Sequence, residues 1–196
     1  MKTSELFQRL WRKIELTTPS PLRGLRKAIW KLRGASIGSG TSLPRCTVTW
    51  PHQLKIGSDC RLGPGVFFNF SHYWVPGPSI IIGNNVFIGS GVEFNCRARI
   101  VVGDNCLIAG GCRFIDSDHG ISPDVLIGDQ ELTCAPITIR EGAWVGANAI
   151  VLKGVTIGAG AVIAAGAVVT QSAGDMEIWA GVPARKAGDR RDAGRA

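Results

Sequence analysis

No two of the six cysteines stand in C-x-x-C spacing, so the chain carries no zinc ribbon and no dithiol redox pair. Histidine is scarce too: His52, His72 and His119 are scattered and lack the paired spacing of a metal site. No stretch reads as a signal peptide, because Met1 to Leu16 carries charges throughout. The one long uncharged run, between Lys153 and Asp175, has the length of a membrane span. Its six-residue period and its glycines at 154, 158, 160, 166 and 174 assign it to short strands instead. Net charge is absent from most of the chain as well. The whole sequence is formally +7. Residues 1–33 hold nine Lys or Arg against Glu5 and Glu15, which accounts for all of it, and residues 34–196 are neutral. A neutral body with a short basic segment argues against nucleic acid as a partner.

What the chain does have is a period of six. Ile139, Val145, Val151, Ile157, Ile163 and Val169 form one run, and Ile82, Ile88, Phe94, Val102, Ile108 and Phe114 form an earlier one. A small residue follows most of them by four places (Val86, Cys106, Cys112, Ala143, Ala149, Ala161), and glycine often follows directly. Repeats of this length stack as coils that bury their apolar rows against one another, with three hexads to a triangular coil of about 18 residues. The 26 glycines fit coil corners with unusual backbone angles. Cys60, Cys106 and Cys112 occupy small inward slots and read as reduced, buried thiols of a cytoplasmic protein. Cys46, Cys96 and Cys134 lie off the slots and receive no role.

The expected organisation is an all-β body of parallel β-helix over 36–172, preceded by a basic helical segment at 1–35. A C-terminal arm at 173–187 and a disordered tail at 188–196 follow. Leu6, Phe7, Leu10 and Ile14, then Leu22, Leu25, Ile29 and Leu32, predict two basic amphipathic helices broken at Pro19 and Pro21. They either cap the open end of the stack or lie on an anionic membrane surface, which Trp11 and Trp30 beside Lys and Arg would suit. The register is interrupted at 69–79, and Ile100-Val101 adds two residues, so that Phe94 stacks under Phe114. It then fails from Phe114 to Ile139, predicting a loop that protrudes at about 116–138.

A repeat gains no stability from a long excursion, so that loop invites a functional reading. At its root stand Asp116, Asp118 and His119. An imidazole titrates near neutral pH and serves as base and then as acid. Either Asp could orient it, although in an extended strand both would point away from His119, so a turn is required. Ser117 is too generic, and Cys96 too unpartnered, to serve as a covalent nucleophile.

Asp116-x-Asp-His119, Pro136 to Ile139, Ala143-Trp-Val-Gly146, Ala161 to Thr170 and Ala180-Gly-Val-Pro-Ala-Arg185 resemble the hexapeptide-repeat acyltransferases. Among these, the maltose, galactoside and exopolysaccharide O-acetyltransferase group is the most similar. The resemblance spans roughly residues 36–187. It implies a left-handed parallel β-helix, a homotrimer with active sites between subunits, acetyl-CoA as acyl donor and no metal. His119 would be general base in a direct transfer to a saccharide hydroxyl, with a lipid-linked polysaccharide precursor as the further extension. It places Asn95 at the acceptor, although a coil-corner asparagine is an equal reading. It places Ala147 and Ala165 along the pantetheine arm, with Thr170, Gln171 and Arg185 nearer the nucleotide. Gln171 stands where family members often carry Lys, and Trp144 reads equally as an exposed coil residue. Tyr73 and Trp74 in the 69–79 insertion could stack on a sugar or simply cover a coil edge.

Three other functions fit the same scaffold: N-acyl transfer to an amino sugar or antibiotic, a zinc-dependent hydratase, and a non-catalytic β-helix. Thiol release from acetyl-CoA with a sugar panel separates them. The expected location is cytoplasmic, with peripheral contact to the inner face of the cell membrane through residues 1–33 as the open extension.

Overall fold

The computed structural model describes residues 21–71 and 75–192. Three parallel sheets wind about one axis as a left-handed β-helix, and each face takes one short strand from every coil. On the first face Ile37, Ile56, Ile82, Val102, Ile139 and Ile157 lie in register. The second aligns Leu62, Ile88, Ile108, Val145, Ile163 and Trp179, and the third Val48, Phe68, Phe94, Phe114, Val151 and Val169. These inward rows, with the small slots between them, are the core. Phe68, Phe94 and Phe114 stack face to face at 5.2 and 5.0 Å, as the added pair at 100–101 requires.

Where glycine follows the aliphatic, it is required for space rather than for backbone angle. A Cβ on Gly83 would stand 2.3 Å from Asp104 Oδ1 and 2.9 Å from the Gly103 carbonyl carbon, because the next coil rests on it. Positive φ falls later in the corner, at positions such as Asn105 (58°) and Gly111 (72°).

One helix, α1 (Pro21–Leu32), closes the N-terminal end of the stack. Trp30 is buried and meets Phe68 edge-on at 6.5 Å. Gly34 (φ 95°) ends the helix, with backbone bonds from Gly34 to Lys31 and from Ala35 to Trp30. Of the two placements open to this segment, α1 packs on the end of the stack. The helix expected over 3–16 lies outside the described residues. No described helix is long and apolar enough to cross a membrane.

At the other end, Glu177–Gly181 and Ala184–Asp189 form an antiparallel hairpin on the second face. Gly188 and Asp189 thus belong to a strand, and Arg190 donates to the Gly160 carbonyl at 2.6 Å, so the tail expected from 188 is ordered through Asp192. Pairing with the Glu177–Gly181 strand extends the chain past the last hexad.

Candidate active site

The repeat opens after the strand Arg113–Ile115. Ser117–His119 then runs out and Leu132–Cys134 returns antiparallel to it, pairing Asp118 with Thr133 and His119 with Leu132. The loop between them is knotted by Gln130. Its amide accepts from Ser122 N at 2.8 Å and donates to the carbonyls of Ser122 and Val125 at 3.0 and 2.7 Å. A Cβ on Gly120 would collide with that amide (2.5 Å to Oε1), so glycine is needed where the loop leaves the strand.

Extended geometry decides the two aspartates. Asp116 is fully buried, and its two carboxylate oxygens accept from the backbone N–H of Arg97 and Ala98 at 2.7 and 2.8 Å. It ties the root of the hairpin to the coil below. Asp118 pairs with Lys153 of the coil above. Asp118 and His119 are neighbours in the strand Ser117–His119, where alternate side chains leave on opposite sides, and the Asp116 carboxylate is taken up by the coil below. Neither therefore orients the imidazole within one chain, which corrects that expectation. His119 is exposed and makes no side-chain hydrogen bond among the described residues. It borders a groove of about 410 Å³ with Arg97, Gly128, Gln130, Glu131 and Leu132.

Asn95 sits one coil below Ile115, as the spacing predicts, and the Asp116 N–H bonds to its carbonyl at 3.3 Å. Asn69, one coil lower, donates Nδ2 to Asn95 Oδ1 at 3.1 Å. That bond leaves the Asn95 amide N–H₂ as a donor facing outward. Asn69 was missed in the sequence, although its offset of 26 from Asn95 follows from the insertion at 69–79. Lys153 was missed too, since its only signal is a lone cation in an uncharged stretch. Tyr73 and Trp74 lie outside the described residues.

The proposed donor-site residues divide between two edges. Ala147 and Ala165 occupy the corner after the second face, in successive coils, and Gly166 N bonds to Ala147 O at 2.8 Å. Arg185 pairs with Ala180, which follows Trp179 over Ile163, so it stands at the end of the same edge. Thr170 and Gln171 follow the last strand of the third face and lie on the next edge, that of Asn95 and His119. A six-residue side spans at most about 20 Å. One chain thus holds the small-residue edge and the imidazole on different edges. Trp144 is half exposed on the outside of the second face, in one column with exposed Leu107 and Phe87.

Five of the six thiols, all but the exposed Cys134, are buried in the core. Burial pushes Cys46 and Cys106 up to about 11 and raises Cys96 further, with Asp116 adding to it. Cys96, the buried thiol beside Asp116, is therefore held as the neutral thiol and is no covalent nucleophile.

Residues 136–171 match the model described as bacterial transferase hexapeptide (six repeats), and 79–113 that of the hexapeptide repeat of succinyl-transferase. The galactoside O-acetyltransferase of Escherichia coli is 31% identical over 66% of this chain and 61% of its own length. Nodulation protein L of Rhizobium meliloti is 32% identical over 65% of this chain and 69% of its own. The chain spans about three-fifths of the first curated relatives it matches. A hexapeptide-repeat acetyltransferase of Vibrio cholerae superimposes with a TM-score of 0.63 at 25% identity, covering 97% of this chain and 94% of its own. AntD, an N-acyltransferase of Bacillus cereus, does so at 0.72 and 19%, covering 86% and 89%, which shows the fold alone. With the repeat in register from Ile37 to Trp179 and these relatives beside it, the chain belongs to the hexapeptide-repeat acyltransferases.

Proposed function

We propose that the protein transfers an acetyl group from acetyl-CoA to a hydroxyl of a saccharide, with His119 as general base. The observation that carries this reading is the His119 imidazole, unbonded and exposed on a groove where the repeat opens. It takes the proton of the acceptor hydroxyl as that oxygen attacks the thioester carbonyl. The tetrahedral intermediate collapses with loss of coenzyme A, and the imidazolium returns the proton to the leaving sulfur. The raised cysteine thiols support direct transfer without an acyl-enzyme. Asn95, its amide turned outward by Asn69, is suited to hold the acceptor oxygen. Ala147, Ala165 and Arg185 are suited to the pantetheine and phosphates, with Thr170 and Gln171 serving from the adjoining edge. The Vibrio cholerae relative has been solved with acetyl coenzyme A.

Because the small-residue edge and His119 stand on different edges, the reading needs a second copy to join them. The exposed Phe87–Leu107–Trp144 column supplies an apolar surface for that contact, in a homotrimer. Asp116 and Asp118 then act as positioning residues for the hairpin rather than as partners of the imidazole. The basic residues 1–33 would hold the enzyme at an anionic membrane, where a lipid-linked acceptor is found.

The test is thiol release from acetyl-CoA with a panel of sugars. His119→Ala should lower kcat by about 10² or more without changing the melting temperature. Undiminished turnover in that variant would remove His119 from the chemistry. Amino sugars in the same panel decide the acceptor atom: an amine preferred over every hydroxyl makes this an N-acyltransferase.

A further inference from the structure

Helix α1 is amphipathic in the inverted sense. In a helix packed on a protein, the apolar stripe faces the core and the cations face water. Here Lys27 turns inward and donates to the carbonyls of Gly38 and Thr41 at 2.8 and 3.4 Å, and Arg26 does the same to the Pro44 carbonyl. Only Trp30 of the apolar residues described in the helix is buried. Leu25, Ile29 and Leu32, at spacings of four and three, are exposed by 55%, 43% and 88%. At 3.6 residues per turn their mean direction lies roughly 140° around the helix from Trp30. The stripe therefore points away from the end of the stack.

Charge at this end has one sign. Between residues 24 and 92 the sequence holds seven Lys or Arg and a single acid, Asp59. Lys31, Arg33, Arg45, Lys55 and Arg61 are exposed there. The acids begin again only at Glu93. A second copy docked end to end would set like charge against like. The chain's own residues 1–20 offer Leu6, Phe7, Leu10 and Ile14 to the stripe, but they bring Lys2, Arg9, Arg12 and Lys13 against two acids, which the surrounding cations oppose. An anionic lipid surface matches both the stripe and the surrounding cations.

We infer that the protein docks end-on to anionic bilayers, inserting Leu25, Ile29 and Leu32 of α1 among the acyl chains while the cations of the first coils face the headgroups. This deepens the membrane contact proposed above and does not depend on the chemistry at His119. It also changes the useful experiment. Removing residues 1–33 would uncover Phe68, so loss of binding in that deletion could report a damaged fold.

The full chain is therefore compared with a Leu25→Gln/Ile29→Gln/Leu32→Gln variant, which alters no charge, by co-sedimentation with vesicles. Half of the vesicles are pure phosphatidylcholine, and half are phosphatidylcholine and phosphatidylglycerol in equal parts. The full chain should bind the mixed vesicles, and the variant should bind them about tenfold more weakly or worse. Its melting temperature and its acetyl-CoA turnover with soluble sugars should be unchanged. Equal binding by variant and parent overturns the inference, and so does equal binding of the parent to both vesicles. If neither protein binds either vesicle, the membrane reading itself fails. A polarity-sensitive dye on Leu32→Cys, in a Cys134→Ser background because Cys134 is exposed, gives the second measurement. Its emission should shift to the blue only when mixed vesicles are added. Emission that is already blue without vesicles, and turns red when residues 1–20 are removed, would show the stripe covered by the chain itself.

Discussion

Asp116 serves structure. Buried and with no cationic partner among the described residues, it is held by two backbone donors of the coil below. Hydrogen bonds to a charged acceptor are among the stronger ones. Asp116→Ala would leave the Arg97 and Ala98 N–H groups without a partner and should cost about 2 to 4 kcal/mol by thermal or urea unfolding. Asp116→Asn retains one acceptor oxygen and should cost less. If both variants melt like the parent, the carboxylate does not anchor the hairpin. Asp118 differs, since its partner Lys153 and its own side chain are both partly exposed, so that pair contributes little to stability.

The C-terminal hairpin is an element held by charge. Glu177 accepts from Lys186, from the Trp179 indole and from Gly174 N, with Lys186 the largest influence, and its carboxyl is lowered to about 2. Asp189 is lowered as well, chiefly by Arg191. A depressed carboxyl stabilises the folded state fully above its ordinary value, and that contribution is lost as pH falls toward the depressed one. The protection of the amides in 177–189, relative to intrinsic exchange at each pH, should therefore fall between about pH 4.5 and pH 2, ahead of the coil body. Glu177→Gln should reduce that pH dependence to the part contributed by Asp189, and a hairpin of the parent equally protected at both pH values would contradict the assignment. The site hairpin, in contrast, is tied by Gln130 and by the Asp116 anchor, and its apolar tip at Ile121, Leu126 and Ile127 is exposed.

For the whole molecule, the decisive question is what covers Phe87, Leu107 and Trp144. These residues point outward from a sheet, so changing them creates no cavity in the core. If the proposed homotrimer forms through this column, Leu107→Asp should convert it to smaller species by light scattering and abolish turnover together with it, while the monomer keeps its strand content. A trimer that survives the change would move the contact to another face. In that assembly three α1 helices would lie at one end, so membrane docking and trimer formation are compatible.

Coil stacking is a local rule repeated, which is why so much of it was legible in the chain. Each aliphatic need only meet the residue one coil away, so spacing alone predicted the three faces, the Phe94–Phe114 stack, Asn95 under Ile115 and the place where the repeat opens. Partners outside that rule could not be read. Asp116 reaches the corner of another coil, Asp118 finds Lys153, and Asn69 sets the Asn95 amide, each through side-chain directions fixed only once the coils close. The helix was visible from its period, but the direction of its stripe was not. Whether cations or leucines face the stack depends on which carbonyls the first coil leaves unpaired, and that is settled in three dimensions, by packing.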